Sequence, residues 1–113
     1  MRNGEEYLIS ACQQLIVRAR ARGLKVIGAT LTPGEGTSIP GHYSEAKEAV
    51  RQQVNTRIRT SHAFGCVTDF DAALRDPVQP RQLQARYASR DELHPNDAGC
   101  QAMAEAIDLT LFR

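Results

Sequence analysis

Asp91 and His94 stand three positions apart in the stretch Arg90-Asp91-Glu92-Leu93-His94-Pro95-Asn96-Asp97-Ala98-Gly99. A turn across that spacing can fold the Asp91 carboxylate onto Nδ1 of His94. The carboxylate then fixes the imidazole tautomer and stabilises the imidazolium, which leaves Nε2 as a base. Pro95 restricts His94 to extended backbone and helps hold the ring in place. The same spacing also fits a surface histidine beside an N-capping asparagine. Residue types alone leave both readings open.

A base of this kind serves a nucleophile, and the candidates are few. The serines are Ser10, Ser38, Ser44, Ser61 and Ser89, and none stands just after an expected buried strand. Only Ser38 follows an expected strand, well into a loop. Three histidines, His42, His62 and His94, have spacings that match no metal signature, so no metal or cofactor is expected. Cys12, Cys66 and Cys100 form no CxxC pair and read as small packing residues. Pro33-Gly34-Glu35-Gly36 lacks the Lys-Ser/Thr of a phosphate-binding loop. Asp69 and Asp71 flank the end of an expected strand. They could face an active-site rim, but a local hydrogen bond for Asp69 and a turn cap for Asp71 are the plainer roles.

Composition removes several function classes. The 113 residues carry 14 basic and 13 acidic side chains, a net charge of +1, so no one-signed field recruits nucleic acid or an anionic membrane. Aromatic residues are 5% with no Trp, which argues against a base-stacking platform. Hydrophobic residues at 42% fit a globular domain. No apolar run approaches a membrane span, and residues 1–6 contain no signal-peptide core; a cytoplasmic location is the default expectation.

The elements that must position Asp91 and His94 follow from periodicity. Leu8, Cys12, Leu15, Ile16 and Ala19 trace one helical face, capped by Asn3 and ended by Gly23. Leu24 to Leu31 reads as a strand buried on both faces. Residues 32–43 form a loop long enough to suspect function. Ser44 opens a helix to about Ser61, with Ala46, Val50, Val54 and Ile58 along its buried stripe. Gly65 to Phe70 is a second strand, followed by one helical turn at 71–75. Pro77 and Pro80 break the chain into an irregular stretch that reaches Asp91. A last helix opens at Asn96 or Asp97 and runs to about Leu111, with Gly99 permitting close approach to a neighbour. Alternation of this kind builds an α/β layer with a parallel sheet.

Asp91-Glu-Leu-His-Pro-Asn-Asp-Ala-Gly99 and the Ala/Met-rich helix after it resemble the last sequence block of the SGNH (GDSL-type) esterase/lipase family. VIGATLTP (26–33) and VNTRIRTSHAFGCVTDFDAALRDP (54–77) resemble that family's penultimate and last strand regions. The resemblance runs from Tyr7 to Phe112 but covers only the C-terminal half of a family domain. It implies Asp91 as the orienting acid and His94 as the general base of a Ser-His-Asp triad acting on a small-molecule ester. It implies a partial three-layer α/β/α (flavodoxin-like) fold with about two parallel strands and three main helices. Residues 1–113 are thus expected to be a single partial domain. The family's Gly-Asp-Ser nucleophile block and its Gly-x-Asn-Asp oxyanion block have no counterpart here, and Arg57 and His62 depart from the residues expected at their places. The expectation is a chain inactive alone. The alternative is a truncated or split-gene subunit that self-associates or docks an N-terminal partner fragment through an exposed strand edge.

Overall fold

The computed structural model describes residues 4–113. Helix α1 spans Gly4–Ala21, strand β1 Ile27–Ala29, helix α2 Glu45–Thr60, strand β2 Cys66–Thr68, helix α3 Phe70–Leu74 and helix α4 Asp97–Ala106. Short 3₁₀ turns lie at Ala85–Tyr87 and Leu109–Phe112. The fold is mixed α/β, with β1 and β2 paired in parallel and joined by α2. Three main helices, α1, α2 and α4, accompany them, as expected.

Local chemistry explains the helix ends. Gly23 (φ 72°) ends α1, and the Leu24 N–H returns to the Ala19 carbonyl at 3.0 Å. Ser44 caps α2 by accepting from the Lys47 N–H. The expected α1 cap, Asn3, lies outside the described residues.

Several expectations are corrected. The strand expected over 24–31 pairs only at Ile27–Ala29, because β2 offers just three partner residues. Nor is it buried on both faces: Ala29 and Leu31 are exposed, and Leu24 is 61% exposed. The second strand is likewise short, since Phe70 already begins α3. On α1 only Ile16 of the expected stripe is buried; Leu8 and Leu15 are exposed because no described element covers them. The last helix stops at Ala106, not Leu111. Ile107 turns extended, and Asp108 accepts from Thr110 N–H and hydroxyl to start the next turn.

The buried face of α2 differs most. Val54 and Ile58 are buried as expected, yet Ala46 is exposed, and Glu48, Arg51 and Asn55 are buried instead. Asp71 is the reason. Its side chain is 2% exposed and accepts from Arg51 (2.7 Å), Arg59 (2.8 Å) and Arg75 (2.7 Å). Glu48 in turn pairs with Arg51 at 2.7 Å. Charges taken from water need such multiple partners. The cap of α3 is therefore Asp69, which accepts from the Ala72 N–H, and not Asp71. The apolar core is correspondingly small: Ile16, Val54, Ile58, Leu74 and Leu83.

The molecule is a slab of 41 × 40 × 21 Å with a radius of gyration of 15.0 Å. A compact chain of this length has a radius near 13 Å (about 2.2·N^0.38). Among the described residues only one edge of β1 is paired. The Thr30 N–H donates to the Thr68 carbonyl, so by alternation the peptide groups of Ala29 face the opposite, open edge.

Candidate active site

The segment before α4 is closed by local bonds. Ala88 and Pro95 form an antiparallel bridge. Ser89 N–H donates to the His94 carbonyl (2.9 Å), and Asn96 N–H donates to the Tyr87 carbonyl (2.8 Å). Asn96 also caps α4, accepting from the Gly99 N–H, and its amide donates to the carbonyls of Arg86 and Ala88. Residues 89–94 are thus clamped at both ends. Within the clamp Glu92 adopts φ 55°, and the chain reverses there.

That reversal brings the two candidate residues together. Asp91 Oδ2 lies 2.6 Å from Nδ1 of His94. Its other oxygen, Oδ1, accepts the N–H groups of Leu93 and His94, each at 2.9 Å. A short aspartate turn of this type is what the side chain favours on its own backbone. The His94 contact, helped by the two backbone N–H groups, pulls the Asp91 carboxyl down to about 2. Asp91 is therefore ionised at neutral pH and holds a proton on Nδ1. The His94 side chain is 69% exposed, so Nε2 is available to an incoming hydroxyl.

The other candidates are placed as follows. Ser38 comes to this loop through its backbone, its N–H donating to the Asp91 carbonyl at 3.2 Å. Ser44 Oγ caps α2 and Ser61 Oγ accepts from the Ala63 N–H, so neither bond involves the His94 ring. His42 lines a cleft of about 280 Å³ with Leu31, Gly34, Tyr43 and Leu93; the cleft includes neither Asp91 nor His94. His62 is exposed beyond the end of α2. Asp69 does not open toward a rim: Arg59 grips both of its oxygens, at 2.8 and 2.9 Å, and holds its carboxyl well below the usual range. Arg57, one of the departures, pairs with Glu5. Among the described residues, no group of three or more His, Cys, Asp or Glu side chains is placed to hold a metal. No described helix is long and apolar enough to cross a membrane.

Sequence reasoning missed the residues behind the pair. Thr37, Gly34 and Gly36 of the 32–43 loop all meet the Asp91–Leu93 segment. The signal was the close glycine spacing of that loop, which carried no known ligand pattern.

The family model described as the GDSL-like lipase/acylhydrolase family matches residues 2–102. The chain belongs to that family. A solved structure of a GDSL-like lipase from Bacteroides thetaiotaomicron superposes on this GDSL-like chain with a TM-score of 0.77 at 19% identity. At that identity the likeness is one of fold. The match covers 96% of this chain and 53% of the other, so the GDSL-like chain spans about half the length of that structure. No curated protein matches it by sequence.

Proposed function

We propose that this chain supplies the acid–base half of a serine ester hydrolase. His94 takes the proton of a serine hydroxyl as that oxygen attacks an ester carbonyl, then returns it to the leaving alcohol. Asp91 orients the ring and stabilises the imidazolium. The supporting observation is the 2.6 Å contact between Asp91 Oδ2 and His94 Nδ1 on a largely exposed ring. The 113 residues contain no Gly-Asp-Ser block, so this reading puts the nucleophile and the oxyanion donors on another segment. Loss of a single oxyanion donor costs about 10²–10³ in rate. The chain alone is then without measurable esterase activity.

The deciding experiment is a chimera. The part of the Bacteroides lipase outside the matched 53% is fused ahead of residues 4–113, and the fusion is assayed on p-nitrophenyl acetate. Turnover that disappears in His94→Ala is expected. A folded chimera whose turnover ignores His94→Ala overturns the reading. So does the unfused chain, if it shows His94-dependent turnover by itself.

A second reading is favoured by the open edge of β1, whose flanking residues Leu24 and Leu31 are exposed. In it the chain is a non-catalytic subunit that completes its sheet with an N-terminal partner fragment. Binding of such a fragment without any His94-dependent turnover distinguishes it from the first.

A further inference from the structure

The loop between β1 and α2 backs the Asp91–His94 segment residue by residue. Thr37 Oγ1 donates to the Asp91 carbonyl at 2.7 Å, and Ser38 N–H donates to the same oxygen. One residue on, Glu92 lies over Gly36: a Cβ there would stand 2.9 Å from Glu92 Oε2. Gly36 also has φ 89°, which only glycine adopts freely. Next, Leu93 lies over Gly34, whose Cβ would stand 2.9 Å from Leu93 Cδ1. Three consecutive residues that set the dyad are thus each seated on the opposite loop. Thr37 ties the two loops together and also orders its own, since its Oγ1 accepts from the Ile39 N–H at 3.2 Å.

We infer that Thr37 is a positioning residue for the acid–base pair, and that the 32–43 loop is the bracket that holds Asp91 on His94. The inference rests on the reading of Asp91 and His94 as acid and base. It acts through geometry: the Thr37 hydroxyl fixes the Asp91 backbone, and that backbone aims the carboxylate. Without the hydroxyl the Asp91 carbonyl keeps one donor, and the turn at Glu92 has a looser support.

Thr37→Val removes the hydroxyl and keeps the shape; Thr37→Ser keeps the hydroxyl. Amide exchange by NMR reads the outcome without substrate. Leu93 and His94 N–H, both bound to Asp91 Oδ1, are expected to exchange about five- to tenfold faster in Thr37→Val, the size of one lost hydrogen bond. The Asp91 carboxyl is expected to titrate closer to its ordinary value in the same variant. Amides of α4 are expected to stay as protected as in the parent, and Thr37→Ser is expected to restore both signals. Parent-like exchange of Leu93 and His94 in Thr37→Val overturns the inference, as does equal loosening of α4. If Thr37→Val does not fold, Gly36→Ala disturbs the same seat from the other residue and is read on the same two amides. Because no turnover is measured, the bracket can stand even if the chimera shows no esterase activity.

Discussion

Asn55 closes the end of β1 by bonding both ways with the backbone of Leu31. Its Oδ1 accepts from the Leu31 N–H at 2.7 Å, and its Nδ2 donates to the Leu31 carbonyl at 2.9 Å. The side chain is fully buried at 0% exposure, so water cannot take its place. Asn55→Ala strands the Leu31 N–H and is expected to cost about 2–3 kcal/mol. The urea midpoint measures it. An unchanged midpoint would mean that the strand end reaches water after all.

Asp71 carries a comparable load through charge. Asp71→Asn leaves Arg51 beside Glu48 alone and weakens Arg59 and Arg75. Removing one partner of a buried ion pair costs about 3–5 kcal/mol. Arg75→Ala, at the more exposed margin of the cluster, is expected to cost much less. Denaturant titration of the two variants should rank them in that order; the reverse order would mean that the cluster is organised around another residue.

Acid should weaken the fold. Arg59 depresses the Asp69 carboxyl, and the His94 contact depresses that of Asp91 to about 2. Each carboxyl binds its proton more weakly folded than unfolded, so protonation favours the unfolded chain. The stabilisation is complete above the unfolded value, near pH 4 (about 3.9 for Asp), and is lost as pH falls toward 2 and below. Urea midpoints taken between pH 5 and 2 are expected to fall, and to fall less steeply in Asp69→Asn. A flat profile would contradict the ion pairing.

Gly99→Ala sets two effects against each other. Alanine gains about 1 kcal/mol over glycine in a helix interior. Here its Cβ would stand 2.6 Å from the Tyr87 carbonyl oxygen and 2.8 Å from Pro95 Cβ. The carbonyl is backbone that already accepts from the Asn96 N–H, so it cannot move cheaply. Overpacking of this kind costs about 1–3 kcal/mol, and net destabilisation is expected in thermal melts. A higher Tm in the variant would show that α4 can shift freely.

The open edge of β1 gives a test of association. Ala29→Pro removes an N–H on the unpaired side, where proline is tolerated in edge strands. Sedimentation of the parent chain at rising concentration is expected to show mass above the 12.5 kDa monomer, and the variant is expected to stay monomeric. A parent that remains a monomer throughout would count against docking through this edge.

The reach of the sequence varied from element to element. Caps were legible because they are local: Ser44 and Asn96 each bond an N–H three residues away. The Asp91–His94 contact was legible for the same reason, since one turn spans it. The face of α2 was legible only in part: Val54 and Ile58 are buried as their spacing predicts. Apolar spacing pointed to Ala46 and Val50, but Asp71, from beyond β2, drew Arg51 inward and Glu48 with it. Leu8 and Leu15 read as core from periodicity and Leu24 from its short apolar run, yet burial needs a covering neighbour, and neither pattern says whether one is present.

By itself, then, the sequence determined the pieces whose partners lie within a turn or two: the helix starts, the parallel pair joined by a helix, and an acid set to face its histidine. Tertiary structure alone decided that Thr37 stands behind that acid, 54 positions away along the chain, and that Gly34 lies under Leu93, 59 positions away. It alone gathered Arg51, Arg59 and Arg75 on one buried carboxylate. The physical reason is range. A cap or an aspartate turn is settled by bonds a few residues long, whereas a bracket or a buried charge cluster exists only once distant segments exclude water together.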